Sequence, residues 1–177
     1  MATTLLEVID TAVKIGLGSL ITLAGTIVVT KLNHTHDNSK ENRKRYYDSL
    51  EIVGSNVEEI THVALRYWAI VVEWVRLNQQ DMELTEKRSN ELEKNKSDLF
   101  DQFKCLTFAE SKLLLLNLEE QSKLIREYGE FLTMFRRKFY DGNRELTEEM
   151  MQSARLELLK KREILIKSLA KAYSKNL

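Results

Sequence analysis

LLLLNLEEQSKLIREYGEFLTMFRRKF, residues 113–139, carries the clearest structural signal in the chain. Its apolar side chains recur every three or four positions, which is the spacing of one face of an α-helix. The main stripe contains Leu114, Leu118, Ile125, Tyr128, Leu132, Phe135 and Phe139, widened by Leu113, Leu116, Leu124 and Phe131. A stripe this broad predicts a helix inside a bundle. A capping-box pattern at Thr107 and Glu110 predicts the start of this helix, and Gly142 predicts its end near Tyr140.

The sequence on either side of this stretch also favours helices, because it contains no proline and only six glycines in 177 residues. One predicted core stripe contains Ala64, Leu65, Trp68, Val71, Val72 and Val75. A charged helix is predicted over about 82–104, with Leu84, Leu92, Leu99, Phe100 and Phe103 as its apolar side. The last helix is predicted from Thr147 or Asn143 to about Tyr173, lined by Met151, Ala154, Leu158, Leu165 and Leu169.

Residues 15–30, IGLGSLITLAGTIVVT, contain no charged side chain and lie between Lys14 and Lys31. A helix of that length rises about 24 Å, less than the roughly 30 Å of a hydrocarbon core. Lysines at both ends can extend their ammonium groups toward the headgroups, so that residues 11–32 would span about 33 Å. We therefore predict a transmembrane helix. The alternative is a helix buried in a soluble oligomer.

The basic residues around this predicted span set its expected orientation. Lys14 alone precedes it, whereas the juxtamembrane cations Lys31, Lys40, Arg43, Lys44 and Arg45 follow it. The positive-inside rule then places the N-terminus outside and the remaining chain in the cytoplasm, as in a single-pass signal anchor of the bacterial inner membrane. A cleaved signal peptide is disfavoured because residues 1–10 contain no basic side chain. The same cations would contact anionic lipid.

One face of the predicted membrane helix carries small side chains, namely Thr11, Gly18, Thr22 and Gly25. Small residues let helices approach closely in lipid, so this membrane-helix packing face predicts self-association or docking on another membrane helix. The alternative is that glycine is simply common in membrane helices.

The fold prediction is therefore all-α, with one N-terminal transmembrane helix and an up-and-down bundle of about four helices, at least two of them long. Residues 1–36 would form the membrane anchor and junction, and residues 37–177 the cytoplasmic helical bundle with coiled-coil-like packing. The polar junction 32–39 either starts a new helix at Asn38 or Ser39, or lies within one continuous helix.

No pattern in the chain predicts an enzyme, a cofactor, a metal site or a small-molecule substrate. The glycine-rich phosphate-binding and nucleophile-elbow motifs are absent. His34 and His36 lie close together in the junction, and Glu59 and His62 form a single E-x-x-H element where di-iron bundles need two. Cys105 is the only cysteine and reads as a packed thiol. Lys plus Arg equals Asp plus Glu at 27 each, which disfavours nucleic-acid binding.

The sequence thus favours a membrane-anchored, non-enzymatic interaction or scaffold module on the cytoplasmic face. Its expected partners are lipid and either other proteins or a second copy of the chain, with Trp68 and Trp74 as candidate partner-facing aromatics. Two alternatives stay open. One is a membrane-acting effector or toxin-like subunit, such as part of a bacterial defence system, that oligomerises through its membrane helix. The other is a soluble oligomeric helical scaffold.

Overall fold

The computed structural model describes the backbone of residues 5–175 and the side chains of residues 26, 29–31 and 39–174. This part of the chain contains no strand, which confirms the all-α prediction. Its four helices are α1 (Leu5–Asn78), α2 (Glu86–Leu115), α3 (Glu119–Lys138) and α4 (Glu148–Lys175). Helix α1 continues through the junction 32–39, so the prediction of one continuous helix is confirmed and no helix begins at Asn38 or Ser39.

The chain divides into two units, Met1–Arg45 and Tyr46–Leu177, whereas the sequence suggested a boundary after residue 36. The predicted span 15–30 belongs to the first unit, and its backbone is helical. Apart from Thr26, Val29 and Thr30, its side chains lie outside the described residues, as do those of the small-residue face. Among the residues that are described, no helix combines the length and the apolar character needed to cross a membrane.

The second unit, formed by α2, α3, α4 and the part of α1 from Tyr46 onward, is an up-and-down four-helix bundle, as predicted. Helices α1 and α4 are antiparallel, because the hydroxyl of Tyr46 donates to the carbonyl of Ala172 at 3.0 Å near one end. Near the other end, the indole of Trp68 donates to the carbonyl of Met151 at 2.7 Å. Helix α2 is antiparallel to α1, and α3 is antiparallel to both α2 and α4. These pairings are shown by contacts of Glu73 with Arg88, Asn56 with Cys105, Glu110 with Arg126, Phe100 with Arg136, and Gln121 with Ser168.

Much of the core of this unit comes from the predicted stripes, although Leu114, which was predicted on the main stripe of α3, lies in α2 and is 49% exposed. In α3, Ile125, Tyr128, Leu132 and Phe135 are each at most 1% exposed, and the ring of Phe135 contacts that of Tyr67 edge to face at 6.3 Å. The predicted stripes of α1 and α4 are likewise buried at Ala64, Val71, Val72, Val75, Met151, Ala154, Leu158, Leu165 and Leu169. Helical periodicity therefore located most of the core correctly.

Buried polar side chains in the bundle find partners on neighbouring helices. The hydroxyl of Thr61 in α1 lies 2.7 Å from that of Tyr128 in α3 and also donates to the carbonyl of Val57 at 2.5 Å. The amide of Gln121 donates to the hydroxyl of Ser168 at 2.9 Å. Such satisfied pairs fix the register of adjacent helices, because an unpaired polar group in the core is costly.

The predicted start of a helix at Thr107 is wrong, since Thr107 and Glu110 both lie within α2. Leu106, Ala109 and Leu113 extend the buried face of α2 at helical spacing, so packing carries the helix past the capping box. The chain instead reverses at Asn117, whose φ of 56° is left-handed. Two hydrogen bonds complete a Schellman motif there, from the amide of Leu118 to the carbonyl of Leu113 at 2.9 Å and from that of Asn117 to the carbonyl of Leu114 at 3.0 Å.

The other helix ends follow the sequence signals more closely. Helix α2 begins after Thr85, whose hydroxyl accepts from the amide of Arg88. Gly142, with φ 134°, follows the end of α3, and the side chain of Asn143 donates to the carbonyl of Lys138 at 3.0 Å. The hydroxyl of Thr147 caps α4 by accepting from the amide of Met150 at 3.2 Å, as predicted.

Candidate functional site

The two tryptophans proposed as partner-facing residues are half-buried and pack against the bundle core. The indole of Trp68 donates to a backbone carbonyl of α4, and the guanidinium of Arg155 lies 5.3 Å from the centre of its ring. Both the polar edge and the face of Trp68 are thus used within the bundle. Contact of Trp68 or Trp74 with a partner stays a prediction.

The juxtamembrane cations are all exposed on the described part of α1. These are Lys31, Lys40, Arg43, Lys44 and Arg45. The guanidinium of Arg45 forms an ion pair with the carboxylate of Glu41 at 2.5 Å, one helical turn away. An exposed pair of this kind contributes little to stability.

Glu59, His62 and Cys105, which were considered for metal or nucleophilic chemistry, lie near one another around Gln102, and Glu59 and His62 line one surface depression. Glu59 accepts a hydrogen bond from Gln102 at 2.9 Å, and His62 is exposed. The thiol of Cys105, which is half-buried, donates to the side-chain oxygen of Gln102 at 2.9 Å. In the described residues, no three side chains of metal-ligating type are arranged to hold a metal ion, and the side chains of His34 and His36 lie outside those residues.

The outer side of α3 presents large apolar side chains that the core does not use. Met134 is 68% exposed, Phe100 on the neighbouring α2 is 63% exposed, and Tyr140 just after α3 is 44% exposed. The guanidinium of Arg136 stacks over the ring of Phe100 at 5.2 Å and holds it against α3. We call Phe100, Met134, Arg136, Arg137 and Tyr140 the α3 outer surface.

Depressions flank the α3 outer surface on both sides. Between α3 and α4 lies a cavity of about 380 Å³, and between α2 and α3 lies one of about 500 Å³; Met134 lines both. The second cavity adjoins a third of about 200 Å³, and Phe103 and Thr133 line both. The third cavity adjoins a fourth of about 500 Å³ near Tyr140, and Phe100 and Arg136 line both of these. Grooves on both sides of a helix can accept the side chains of a second helix.

Charges around these grooves are partly paired within the bundle. Arg126 binds the carboxylate of Glu110 across the α2–α3 groove. The ammonium of Lys96 contacts Glu93 and Asp141, each at 2.6 Å, and these carboxylates raise its pKa against the opposing effect of burial. In contrast, Arg136, Arg137, Lys138 and Glu130 form no ion pair with any described residue. The α3 outer surface, together with the neighbouring Glu130 and Lys138, therefore offers apolar contact and charges of both signs that form no ion pair within 4 Å.

The chain matches no model of a known protein family, no curated protein and no solved structure.

Sequence reasoning missed the α3 outer surface for identifiable reasons. Helical periodicity assigned both Leu99 and Phe100 to the apolar side of α2. In the structure Leu99 is buried and Phe100 is not. Residues 136–138 are cations in the last turn of α3, where the helix dipole alone is a sufficient explanation for them. Met134 lies between Leu132 and Phe135, which belong to the buried stripe, but it is not itself part of that stripe. This position was the signal in the sequence that Met134 would be exposed.

Proposed function

We propose that the chain is a non-enzymatic interaction module that binds a helical protein partner through the α3 outer surface. The observation that carries this proposal is the exposure of Phe100 and Met134 beside connected apolar grooves. Met134 and Phe100 line successive cavities of one groove, which are joined at Phe103 and Thr133. Exposed large apolar side chains along one groove are typical of protein-binding sites, whereas single ones elsewhere on a surface are common. The groove between α2 and α3 runs from Ile125 past Arg137, about 20 Å, which suits a partner helix of about four turns.

We further propose that the N-terminal helix anchors the module to a membrane with the bundle on the cytoplasmic side. The uncharged stretch 15–30 supports the anchor, and the exposed cations from Lys31 to Arg45 support this orientation. Anchoring would also suit an interaction module, since it confines the bundle to the surface on which membrane-bound partners lie.

The anchor is tested by extracting membranes with alkaline carbonate from cells that express the full chain. Retention in the pellet supports a spanning helix, and release into the supernatant contradicts it. Changing Ile21 and Val28 to lysine provides the matched control, because two charges within residues 15–30 should prevent insertion. A variant that stays in the carbonate-resistant pellet as fully as the original chain would show that this stretch does not span.

The binding surface is tested by placing a photo-crosslinking amino acid at position 134 in the full chain. The matched control is position 156, because Leu156 on α4 is 64% exposed and Met134 is 68% exposed. We expect discrete crosslinked products from position 134 and none of comparable yield from position 156. Equal yields from the two positions would mean that the α3 outer surface has no preference for a partner.

The effector alternative predicts a different outcome for the membrane helix. Replacing Gly18 and Gly25 by leucine would abolish toxicity on expression if oligomerisation through that face permeabilises the membrane. An interaction module should be harmless both before and after this change. Growth curves of cells that express either form separate the two functions.

A further inference from the structure

Three exposed side chains follow one another along the outside of α3 at intervals of one helical turn. They are Glu130, Met134 and Lys138, which we call the α3 ridge. Met134 lies at its centre, with a carboxylate four residues before it and an ammonium four residues after it. Within the described part of the chain neither charge forms an ion pair within 4 Å, although the pKa of Arg126, which is raised by its ion-pair partner, is raised further by the nearby Glu130. The ammonium of Lys138 lies 5.5 Å from the ring centre of Phe139.

We infer that the partner of the α3 outer surface is a second copy of this chain, bound in an antiparallel arrangement about a two-fold axis beside Met134. This inference rests on the proposed function, because the α3 ridge shares Met134 with the α3 outer surface and lies between the two grooves that Met134 lines. In an antiparallel two-fold interface centred on Met134, a residue four positions before Met134 in one copy lies opposite the residue four positions after Met134 in the other copy. Glu130 of each copy would therefore face Lys138 of the other, which forms two ion pairs from charges that the monomer leaves unpaired.

The shape of the surface agrees with this arrangement. Side chains at i, i+4 and i+8 form the ridges that interdigitate in the commonest class of helix packing. The α3 ridge has a groove on each side, since Met134 lines cavities of about 380 Å³ and 500 Å³. The ridge of a second copy can lie in one of these grooves, and methionine adapts easily to irregular gaps.

The charge pattern of the α3 ridge favours a second copy of the chain over a partner helix that carries charges of only one sign. An acidic helix would suit Lys138 and Arg137 but would oppose Glu130, and a basic helix would do the reverse. The α3 ridge carries one charge of each sign, placed symmetrically about Met134, so its own antiparallel copy satisfies both. The chain as a whole has zero formal net charge, so two copies do not repel each other at long range.

Crosslinking of the full chain in its native membranes tests the contact directly. Cys105 is replaced by alanine, and Met134→Cys or the matched exposed control Leu156→Cys is introduced in that background. A short bismaleimide should join two copies through position 134 within minutes and through position 156 at least tenfold less. Crosslinking of position 134 to a different protein, with no dimer formed, would overturn the inference while leaving the proposed function standing. No dimer with the bismaleimide, together with no product from the photo-crosslinking amino acid at position 134, would overturn both.

Charge reversal then tests the pairing itself. Glu130→Lys and Lys138→Glu should each lower the yield of the Met134→Cys dimer by about fivefold or more, because each turns two attractions into two repulsions. The double variant, or co-expression of the two single variants with different tags, should restore the yield to within about twofold. Loss of yield without restoration, or no loss at all, would refute the antiparallel pairing of Glu130 with Lys138.

Discussion

The hydroxyl pair of Thr61 and Tyr128 allows the energetics of the bundle to be tested with atoms that lie on facing helices. The two oxygens are 2.7 Å apart, and both residues are almost fully buried. Thr61 already uses its proton, because its hydroxyl donates to the carbonyl of Val57 at 2.5 Å. Tyr128 must therefore be the donor to Thr61, so the two possible deletions have different consequences.

Tyr128→Phe removes the donor but leaves Thr61 bonded to Val57, so it should lower the free energy of unfolding by about 1 kcal/mol. Thr61→Val leaves the buried hydroxyl of Tyr128 without an acceptor, which should cost about 2 kcal/mol, within the usual 1–3 kcal/mol for an unsatisfied group. The double variant removes both polar groups and should be nearly as stable as the original chain. The expected coupling between the two sites is thus about 2 kcal/mol or more.

Thermal unfolding of the full chain, followed by circular dichroism at 222 nm, measures these differences. For a protein of this size 1 kcal/mol corresponds to roughly 2–4 °C in Tm. Thr61→Val should therefore unfold about 4–8 °C lower, Tyr128→Phe about 2–4 °C lower, and the double variant within about 2 °C of the original. Strictly additive losses, with the double variant the least stable, would refute the assignment of Tyr128 as donor to Thr61.

Three further predictions concern stability. Asn117→Ala should cost about 1 kcal/mol in urea unfolding because of its left-handed backbone, whereas Asn117→Gly should cost little. Thr147→Ala should cost about 1 kcal/mol by removing the cap of α4, and Thr147→Ser should restore most of it in the same assay. Burial raises the pKa of Tyr128 from 10 to about 12, so the unfolded chain ionises first. Stability present below pH 10 should be lost as the pH rises toward 12, less steeply in Tyr128→Phe, as urea unfolding at pH 8 and pH 11 can measure.

The sequence predicted the helical core well because burial follows helical periodicity directly. Ile125, Tyr128, Leu132 and Phe135 were identified from their spacing and are all buried. The cap at Thr147 was likewise marked by a local polar residue. Antiparallel neighbours followed from the short connections, since a chain that leaves one helix after a few residues must return beside it.

The boundary between α2 and α3 was not predicted, because two local signals competed. Thr107 and Glu110 form a capping pattern, but Leu106, Ala109 and Leu113 bury one continuous face and keep the helix intact. The actual turn at Asn117 lies within a run of leucines in which Asn117 is the one polar residue. The choice between a boundary at Thr107 and one at Asn117 depends on how α2 packs against α3 in the folded bundle.

The candidate surface was harder to predict than the core, because exposure depends on where neighbouring helices lie. Phe100 and Leu99 are adjacent in the sequence and both apolar, yet Leu99 is fully buried in the bundle and Phe100 is 63% exposed. Charged residues posed the same difficulty. Arg126 and Lys138 both lie on α3, but Glu110 of α2 pairs with Arg126, while no described carboxylate reaches Lys138.

A membrane anchor would alter how strong the proposed dimer needs to be. One helical ridge with its flanking grooves offers an interface at the small end of the usual range, and such interfaces are weak between freely diffusing molecules. Tethering to one surface raises the effective concentration of the α3 ridge without adding a contact. We therefore expect the Met134→Cys dimer to form efficiently in membranes and to decline as the detergent-solubilised chain is diluted at a constant detergent concentration. A yield that does not change over a hundredfold dilution would mean that the interface is far larger than the ridge around Met134, and the pairing derived from Glu130 and Lys138 would have to be abandoned.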